Sequence, residues 1–308
     1  MTGLRLVAVN LLGMVEHPGV ATPYRVDRDG RSYVPAGDGG IVLGLELGDS
    51  AFGLVADHPA PGACLVHPDP ASRHALASYA CIGNQVVVRT GAAAGAHGVV
   101  TGKRGEEGRV IVGLAPGDLA RMRPGDEVAV RACGQGLRPP GLPPDVTVMN
   151  LDPGLLPRLP VGLPAGAGAG AGGAGAGAGG DKSDDVTVTD AAVTAGVRMI
   201  VPSRLAGNGI GRPAVAWDLD LQLLGPGTPG GRDLALGDLV AVADIDARYN
   251  MGYRRDWVTV GVVVHGDSPQ PGHGPGITPI LTGPARALRA VPDAAGHVGL
   301  TAAMLQLQ

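Results

Sequence analysis

Two histidines and one aspartate lie in a single loop rich in glycine and proline. His265, Asp267 and His273 occur in HGDSPQPGHGPGIT (265–278), which follows the apolar run WVTVGVVVH. Imidazole and carboxylate groups can ligate Zn²⁺ or another divalent ion, or carry out general acid–base catalysis. Residues two apart in an extended chain project to the same side, so we expect His265 and Asp267 to share one side. A stiff structural turn is the competing interpretation, because the spacing matches no established zinc signature.

Further carboxylates and a third histidine could join this loop. Asp244 and Asp246 end the apolar run that begins at residue 238, and Asp57 and His58 precede a similar loop of proline and glycine. We predict that the two loops face one another, since pockets are common where parts of a fold meet. The candidate metal ligands are Asp57, His58, Asp244, Asp246, His265 and His273, and the candidate catalytic residues are His265, Asp267 and His273.

Aromatic and basic residues are concentrated just before the loop. Tyr253, Arg254, Arg255 and Trp257 lie close together in a chain that has only eight Phe, Tyr and Trp residues (1, 5 and 2). Aromatic walls and guanidinium groups can bind a carboxylate, a phosphate or a planar ring, so these four residues are predicted to bind substrate. The alternative is a buried aromatic corner with arginines covering the edge of a sheet.

The apolar segments predict a mainly β fold with few short helices. Most are short runs that end at Gly, Pro or Asp, such as 41–47, 85–90, 109–114, 126–132, 186–193, 238–244 and 257–265, and such runs are typical of strands. Short helical stretches are predicted at 69–80, 115–122 and 151–159. The 53 glycines and 27 prolines are therefore interpreted as turns between strands rather than as disorder.

A stretch of alternating alanine and glycine predicts the domain boundary. AGAGAGAGGAGAGAGG (165–180) has no side chain larger than a methyl group, so it cannot form a core and behaves as a flexible tether. We predict a β-rich domain over 1–163, a linker or loop insertion over 164–185, and a second β-rich domain over 186–308.

Residues 84–132 are predicted to form a small SH3-like barrel. The glycines of GAAAGAHGVVTG (91–102) have a spacing that resembles the KOW motif of ribosomal proteins and transcription elongation factors. That resemblance implies binding of RNA or protein, but Ala94 replaces the lysine often found before the second glycine. The barrel as pure architecture is the favoured interpretation, because the block carries few excess positive charges for phosphate binding.

Charge and cysteine content limit the kinds of partner and the cellular compartment expected for this chain. The net charge is −4, which argues against nucleic acid and anionic lipid as partners. Three cysteines without metal-type spacing fit a reduced compartment, and no long apolar segment predicts a membrane span. The first residues show no features of a signal peptide, so we expect a cytoplasmic protein.

Four blocks of the sequence resemble one uncharacterised prokaryotic family, domain of unknown function 4438. In order, these are GDSAFGLVADHPAPG, CIGNQVVVRTGAAAGAHGVVTGKRG, CGQGLRPPGLPPDVTVMNLDP and GVVVHGDSPQPGHGPG, and the similarity runs over roughly 40–280. The resemblance implies a mainly β architecture and brings no established activity.

The favoured functional hypothesis is an enzyme that binds a small molecule, a hydrolase or lyase acting on a carbonyl compound. Its site would lie at 244–278, with Arg254 or Arg255 holding an anionic group and with a divalent metal such as zinc as the candidate cofactor. The alternative is a non-catalytic binding or assembly module built on the KOW-like barrel, with RNA or protein as partner. Homo-oligomerisation is compatible with either.

Overall fold

A computed structural model describes residues 5–19, 22–105, 108–164, 192–224, 233–293 and 296–307. The strands in these ranges are β1 (Val9–Val15), β2 (Arg25–Val26), β3 (Ser32–Tyr33), β4 (Ile41–Val42), β5 (Gly62–Val66), β6 (Gln85–Val88), β7 (His97–Arg104), β8 (Arg109–Leu114), β9 (Glu127–Ala132), β10 (Thr147–Val148), β11 (Val161–Gly162), β12 (Val193–Val197), β13 (Met199–Pro202), β14 (Leu219–Asp220), β15 (Leu239–Asp246), β16 (Gly252–His265), β17 (Gly276–Pro284) and β18 (Leu288–Pro292). The α-helices are α1 (Pro70–Tyr79), α2 (Pro116–Leu119) and α3 (Ala302–Leu305), and single 3₁₀ turns occur at Leu156–Arg158 and Ser203–Leu205. The prediction of a mainly β fold with few short helices is confirmed.

Six strands of the first half form a closed antiparallel barrel. Around the barrel the order is β1, β9, β6, β7, β8 and β5, and β5 pairs with β1 to close it. Strands β6 to β9 lie in the range 84–132, where the sequence predicts the small barrel. Those four strands alone would leave two unpaired edges, so β1 and β5 are needed to complete the hydrogen bonding.

The glycines of the KOW-like segment are required by the backbone between β6 and β7. Gly91 and Gly95 have φ of 76° and 88°, in the left-handed region that glycine adopts without strain. At Gly98 the backbone of β8 passes so close that a Cβ would overlap the carbonyl oxygen of Gly113. The spacing of these glycines therefore reflects the geometry of the turn and of the strand pair.

The second large sheet contains strands from both halves of the sequence. Its order is β10, β17, β16, β15 and β13, and β14 also pairs with β17. A smaller sheet has the order β11, β12 and β18. Because β10 and β11 precede residue 163, pairing in both sheets crosses the predicted domain boundary.

The main hydrophobic core is also shared between the halves. Cys64, Ile82 and Ile111 from the first half are buried in one cluster with Val260 and Leu281 from the second. All but the first residue of the linker predicted over 164–185, and most of the strand predicted over 186–193, lie outside the described residues. The domain boundaries therefore stay a prediction, while the core shows that the two halves pack on each other.

One predicted strand is much shorter than expected. Of the run 41–47, only Ile41–Val42 is a strand, because the chain turns at Gly44 and Gly48, where φ is 72° and 100°. Within the described ranges, none of the helices is long and apolar enough to cross a membrane.

Candidate metal centre

Strand register brings a histidine and an aspartate together across a glycine. Strand β17 lies between β16 and β14, and its first residue, Gly276, is the Cα partner of His265 on one side and of Asp220 on the other. A Cβ at position 276 would overlap Nε2 of His265 and crowd Asp218. The absence of a side chain at Gly276 thus makes room for the imidazole and the two carboxylates to meet.

A loop from the first half adds a second histidine to this point. The backbone N–H of His58 donates to the carbonyl of Asp267 at 3.1 Å, and Gly266 N–H donates to the carbonyl of Pro59 at 2.9 Å. His58 has φ of 49°, an unusual conformation for a residue with a side chain, which the surrounding contacts must hold in place. The two loops expected to face one another from the sequence are in contact in the structure.

The first group of candidate ligand atoms comprises His58, His273 and Asp220. Nε2 of His58 lies 3.0 Å from Nδ1 of His273, and Oδ2 of Asp220 lies 2.7 Å from that Nδ1 and 3.5 Å from that Nε2. In a tetrahedral zinc shell with bonds of about 2.1 Å, neighbouring ligand atoms are about 3.4 Å apart. One side of this triangle, at 3.5 Å, already has that length, whereas the two sides of 2.7 Å and 3.0 Å are hydrogen-bond lengths and would widen around a zinc ion.

A second group shares Asp220 with the first. Nε2 of His265 lies 2.6 Å from Oδ2 of Asp218 and 3.4 Å from Oδ1 of Asp220. All three residues are buried, and one ligand atom from each lies within 4.8 Å of the others. Nδ1 of His265 donates to the carbonyl of Gly266 at 2.8 Å, which directs Nε2 towards the two carboxylates.

Asp57 supports the ring of His58 from behind. Its Oδ1 lies 2.7 Å from Nδ1 of His58, an arrangement that recurs behind metal-ligating histidines. Asp57 also accepts hydrogen bonds from Ser268 at 2.7 Å, Tyr33 at 2.8 Å and Arg25 at 2.7 Å. Burial would raise the pKa of Asp57, but the His58 ring and the hydrogen bonds from Ser268 and Tyr33 hold that pKa well below its usual value.

The electrostatics of the protein without bound ions show how strongly these groups interact. Burial opposes charge on His265, yet hydrogen bonds to Asp218 and Asp220 outweigh it and raise the pKa of His265 to about 10. Burial also opposes charge on Asp220, but the hydrogen bonds from His265, His273 and His58 keep its pKa well below the ordinary value. The cluster thus stabilises positive charge at its centre.

The access route to the cluster is lined by basic and amide side chains. A surface cavity of about 350 Å³ reaches His273 and is bordered by Arg28, Arg204, Gln222 and Gln270. His273 is the partly exposed member of the cluster, with 16% of its side chain accessible. A small anionic molecule could therefore approach through this opening.

Asp267 is near the cluster but outside both groups. Its Oδ1 lies 3.7 Å from Nη2 of Arg28, and burial raises the pKa of its carboxyl group. Of the three predicted catalytic residues, the structure thus brings His265 and His273 into one cluster and places Asp267 in the lining of a separate cavity that also borders Arg28.

The predicted ligands Asp244 and Asp246 lie at the other end of the sheet. Asp244 accepts a hydrogen bond from the backbone N–H of Asp256 at 2.8 Å, and Asp246 forms ion pairs with Arg248 at 2.8 Å and Arg254 at 3.1 Å. The strand pair β15–β16 runs antiparallel, so the end of β15, where both aspartates lie, is beside the beginning of β16, whereas His265 is at the end of β16. The structure does not bring these two carboxylates to the histidines.

The aromatic and basic group at 253–257 is likewise remote from the cluster. Trp257 precedes His265 by eight residues of one strand, about 26 Å. The guanidinium groups of Arg248 and Arg254 lie 4.1 Å and 4.4 Å from the Trp257 ring, while Tyr253 and Arg255 are exposed. This corner agrees in part with the alternative that the sequence left open, a buried aromatic corner with arginines covering a sheet edge: Trp257 is buried beneath arginines, but Tyr253 is exposed.

Sequence reasoning missed Asp218 and Asp220. They occur in AWDLDLQLL (216–224), where two carboxylates two residues apart interrupt an apolar stretch and project to one side. That alternation inside a buried segment was a usable signal, since buried carboxylates need a partner.

Two basic residues of the barrel, Lys103 and Arg104, are not available to RNA. Lys103 is fully buried, and buried Arg104 pairs with Asp38 at 2.6 Å. Arg104 instead borders a small cavity next to the cluster, together with Gly105 and Asn208. The nucleic-acid version of the alternative function therefore has no support from these two side chains.

Comparison with known proteins identifies relatives of the whole chain. Two family models match, "Domain of unknown function (DUF4438), N-terminal" over residues 24–157 and "Domain of unknown function (DUF4438), C-terminal" over residues 166–300. A solved structure titled "Crystal structure of TM1086" is 32% identical, covers 95% of each chain and superimposes with a TM-score of 0.82. No curated protein matches the chain.

Proposed function

This chain belongs to the DUF4438 family, and we propose that it is a metal-dependent enzyme that acts on a small anionic carbonyl compound, as a hydrolase or lyase. The observation that carries the proposal is the convergence of His58, His273 and Asp220 on one point between the two halves of the chain. A divalent ion such as zinc would be the cofactor.

The supporting argument is the orientation of the three ligand atoms. Nδ1 of His58 lies 2.7 Å from the carboxylate of Asp57, whose negative charge favours a proton on this nitrogen, and in that tautomer Nε2 presents a lone pair. Nε2 of His58 lies 3.0 Å from Nδ1 of His273 and 3.5 Å from an oxygen of Asp220. Shared protons hold these atoms together as hydrogen bonds, and a divalent ion would displace those protons and be ligated by all three atoms at once.

The opening beside His273 supports the substrate class. Arg28 and Arg204 give it a positive character suited to a carboxylate, and Gln222 and Gln270 offer hydrogen bonds to a carbonyl or hydroxyl group. A zinc ion here would polarise a carbonyl oxygen or lower the pKa of a bound water to about 7. These arginines replace Arg254 and Arg255 as the proposed anion holders.

Metal analysis of the purified full chain tests the cofactor. We expect bound zinc or a similar ion by elemental mass spectrometry, its loss on treatment with a chelator, and its return on adding Zn²⁺. His273→Ala should bind at least tenfold more weakly, whereas the control Asp244→Asn should bind as the wild type does. Failure of the wild type to retain or regain an ion would overturn the proposal.

A substrate screen tests the reaction. The zinc-loaded protein is assayed against small carboxylate-bearing esters, lactones and 2-oxo acids, with activity expected to disappear on chelation and in His273→Ala. Arg204→Ala should raise KM without changing the metal content. Activity that persists after the ion has been removed would contradict the metal-dependent mechanism.

A further inference from the structure

The two oxygens of the Asp220 carboxylate face different groups. Oδ2 is the oxygen next to His58 and His273, whereas Oδ1 is the one next to His265 at 3.4 Å. Asp220 is almost completely buried, with 2% of the residue exposed, so neither oxygen can rely on bulk water. A carboxylate in this position has one oxygen available for each of two cations.

We propose that the centre holds two divalent ions, with Asp220 as the bridging ligand. The inference rests on the proposed function, which places the first ion at His58, His273 and Asp220. The second ion would be bound by Nε2 of His265, Oδ2 of Asp218 and Oδ1 of Asp220.

The ligands of the second ion are held in place by hydrogen bonds on their other atoms. Gly105 N–H donates to Oδ1 of Asp218 at 2.7 Å, which leaves Oδ2 facing His265. The carbonyl of Gly266 accepts only, so Nδ1 of His265 carries the proton, and in the neutral ring Nε2 carries the lone pair. Around protein metal sites, the atoms of ligating carboxylates and imidazoles that do not face the metal are commonly held by such hydrogen bonds.

The chemistry of the second group requires a cation. Nε2 of the completely buried His265 ring lies 2.6 Å from Oδ2 of Asp218, a hydrogen bond that needs a proton on this nitrogen, and 3.4 Å from Oδ1 of Asp220. Three acceptors at this spacing need a positive charge among them, and either a metal ion or a proton on His265 can supply it. The sharing of Asp220 favours a metal ion over a proton. The first ion would be bound by Oδ2 of Asp220, and Oδ1 would remain directed at Nε2 of His265.

The space beside the second group fits a compact site. A cavity of about 10 Å³ adjoins His58, His265, Asp218 and Asp220, which is the room that one water molecule occupies. In two-metal sites the ions lie about 3.5–4 Å apart and together bind the attacking and leaving oxygens of a hydrolytic reaction. A paired centre would therefore assign hydrolysis, rather than lyase chemistry, to the proposed enzyme.

The test is the number of ions bound by the chelator-treated full chain. Zn²⁺ is titrated by calorimetry, and the zinc content is measured after gel filtration. We expect two zinc ions per chain for the wild type and for the control Asp244→Asn, and one for Asp218→Asn and for His265→Gln. The wild type loaded with Mn²⁺ should show the electron paramagnetic resonance spectrum of two spin-coupled Mn²⁺ ions. This measurement does not depend on the folding of any variant.

The outcomes separate this inference from the function on which it rests. One zinc per chain in the wild type, unchanged in Asp218→Asn and accompanied by an uncoupled Mn²⁺ spectrum, would refute the second ion and leave the first in place. In that case the positive charge beside Asp218 and Asp220 comes from a protonated His265 ring rather than from a metal ion. Absence of any bound zinc would refute both proposals together.

Discussion

Lys103 lies in the interior of the protein with no solvent exposure and provides a quantitative test of the structure. The partners of its Nζ among the described residues are uncharged oxygens, the carbonyl of Val215 at 2.6 Å, Oδ1 of Asn150 at 2.8 Å and the carbonyl of Ser78 at 3.5 Å. Burial away from water therefore lowers the pKa of Lys103 from 10.5 to about 8.

This shift predicts how stability depends on pH. The unfolded chain binds a proton at Lys103 up to pH 10.5, whereas the folded chain releases it near pH 8, so between these values the unfolded state binds more protons. The free energy of unfolding must then rise with pH across this window. A shift of this size corresponds to about 3 kcal/mol, since one pKa unit is about 1.4 kcal/mol.

The assay is urea unfolding of the wild type and of Lys103→Met at several pH values from 7.5 to 10.5. Cys64 also titrates at high pH, but it is common to both proteins and cancels in the difference. Because the charge of Lys103 lowers the pKa of Cys81, both proteins also carry Cys81→Ala. We expect the wild type to gain about 3 kcal/mol relative to the variant as the pH rises. A difference that is constant with pH would refute the burial of an uncompensated ammonium group.

Three substitutions test the centre and its surroundings. Asp57→Asn should weaken zinc binding about 10–100-fold, because it removes the carboxylate that orients a ligand ring; a chelator competition assay that gives the wild-type Kd would contradict this role. Gly276→Ala should lower the zinc content, because the added Cβ overlaps Nε2 of His265. Gly117→Ala serves as the control, since its Cβ would meet open space. Equal zinc content in both variants would argue against the pairing of Gly276 with His265 and Asp220. Trp257→Ala should cost about 3–5 kcal/mol in thermal unfolding without changing the zinc content, since the ring is buried and remote; a loss of bound zinc at full stability would show that this corner belongs to the site.

Part of the candidate centre was predictable from local sequence. His265 and His273 follow the long strand β16, and the pair Asp57–His58 precedes a comparable loop, so the residue types and their positions before turns were informative. Asp244 and Asp246 had the same local features, but antiparallel pairing of β15 and β16 places them at the opposite end. Local pattern alone cannot distinguish the two ends of a sheet.

The sequence by itself determined the mainly β character, the position of the glycine turn between β6 and β7, and some of the strands, among them β6, β8, β9, β15 and β16. These features depend on contacts between near neighbours and on the conformations that glycine, proline and branched residues allow. Only the tertiary structure decided that the barrel closes with six strands and that Asp218 and Asp220 join the three histidines. Those pairings join residues far apart in the chain, and their register depends on packing of the shared core, which no short stretch of sequence encodes.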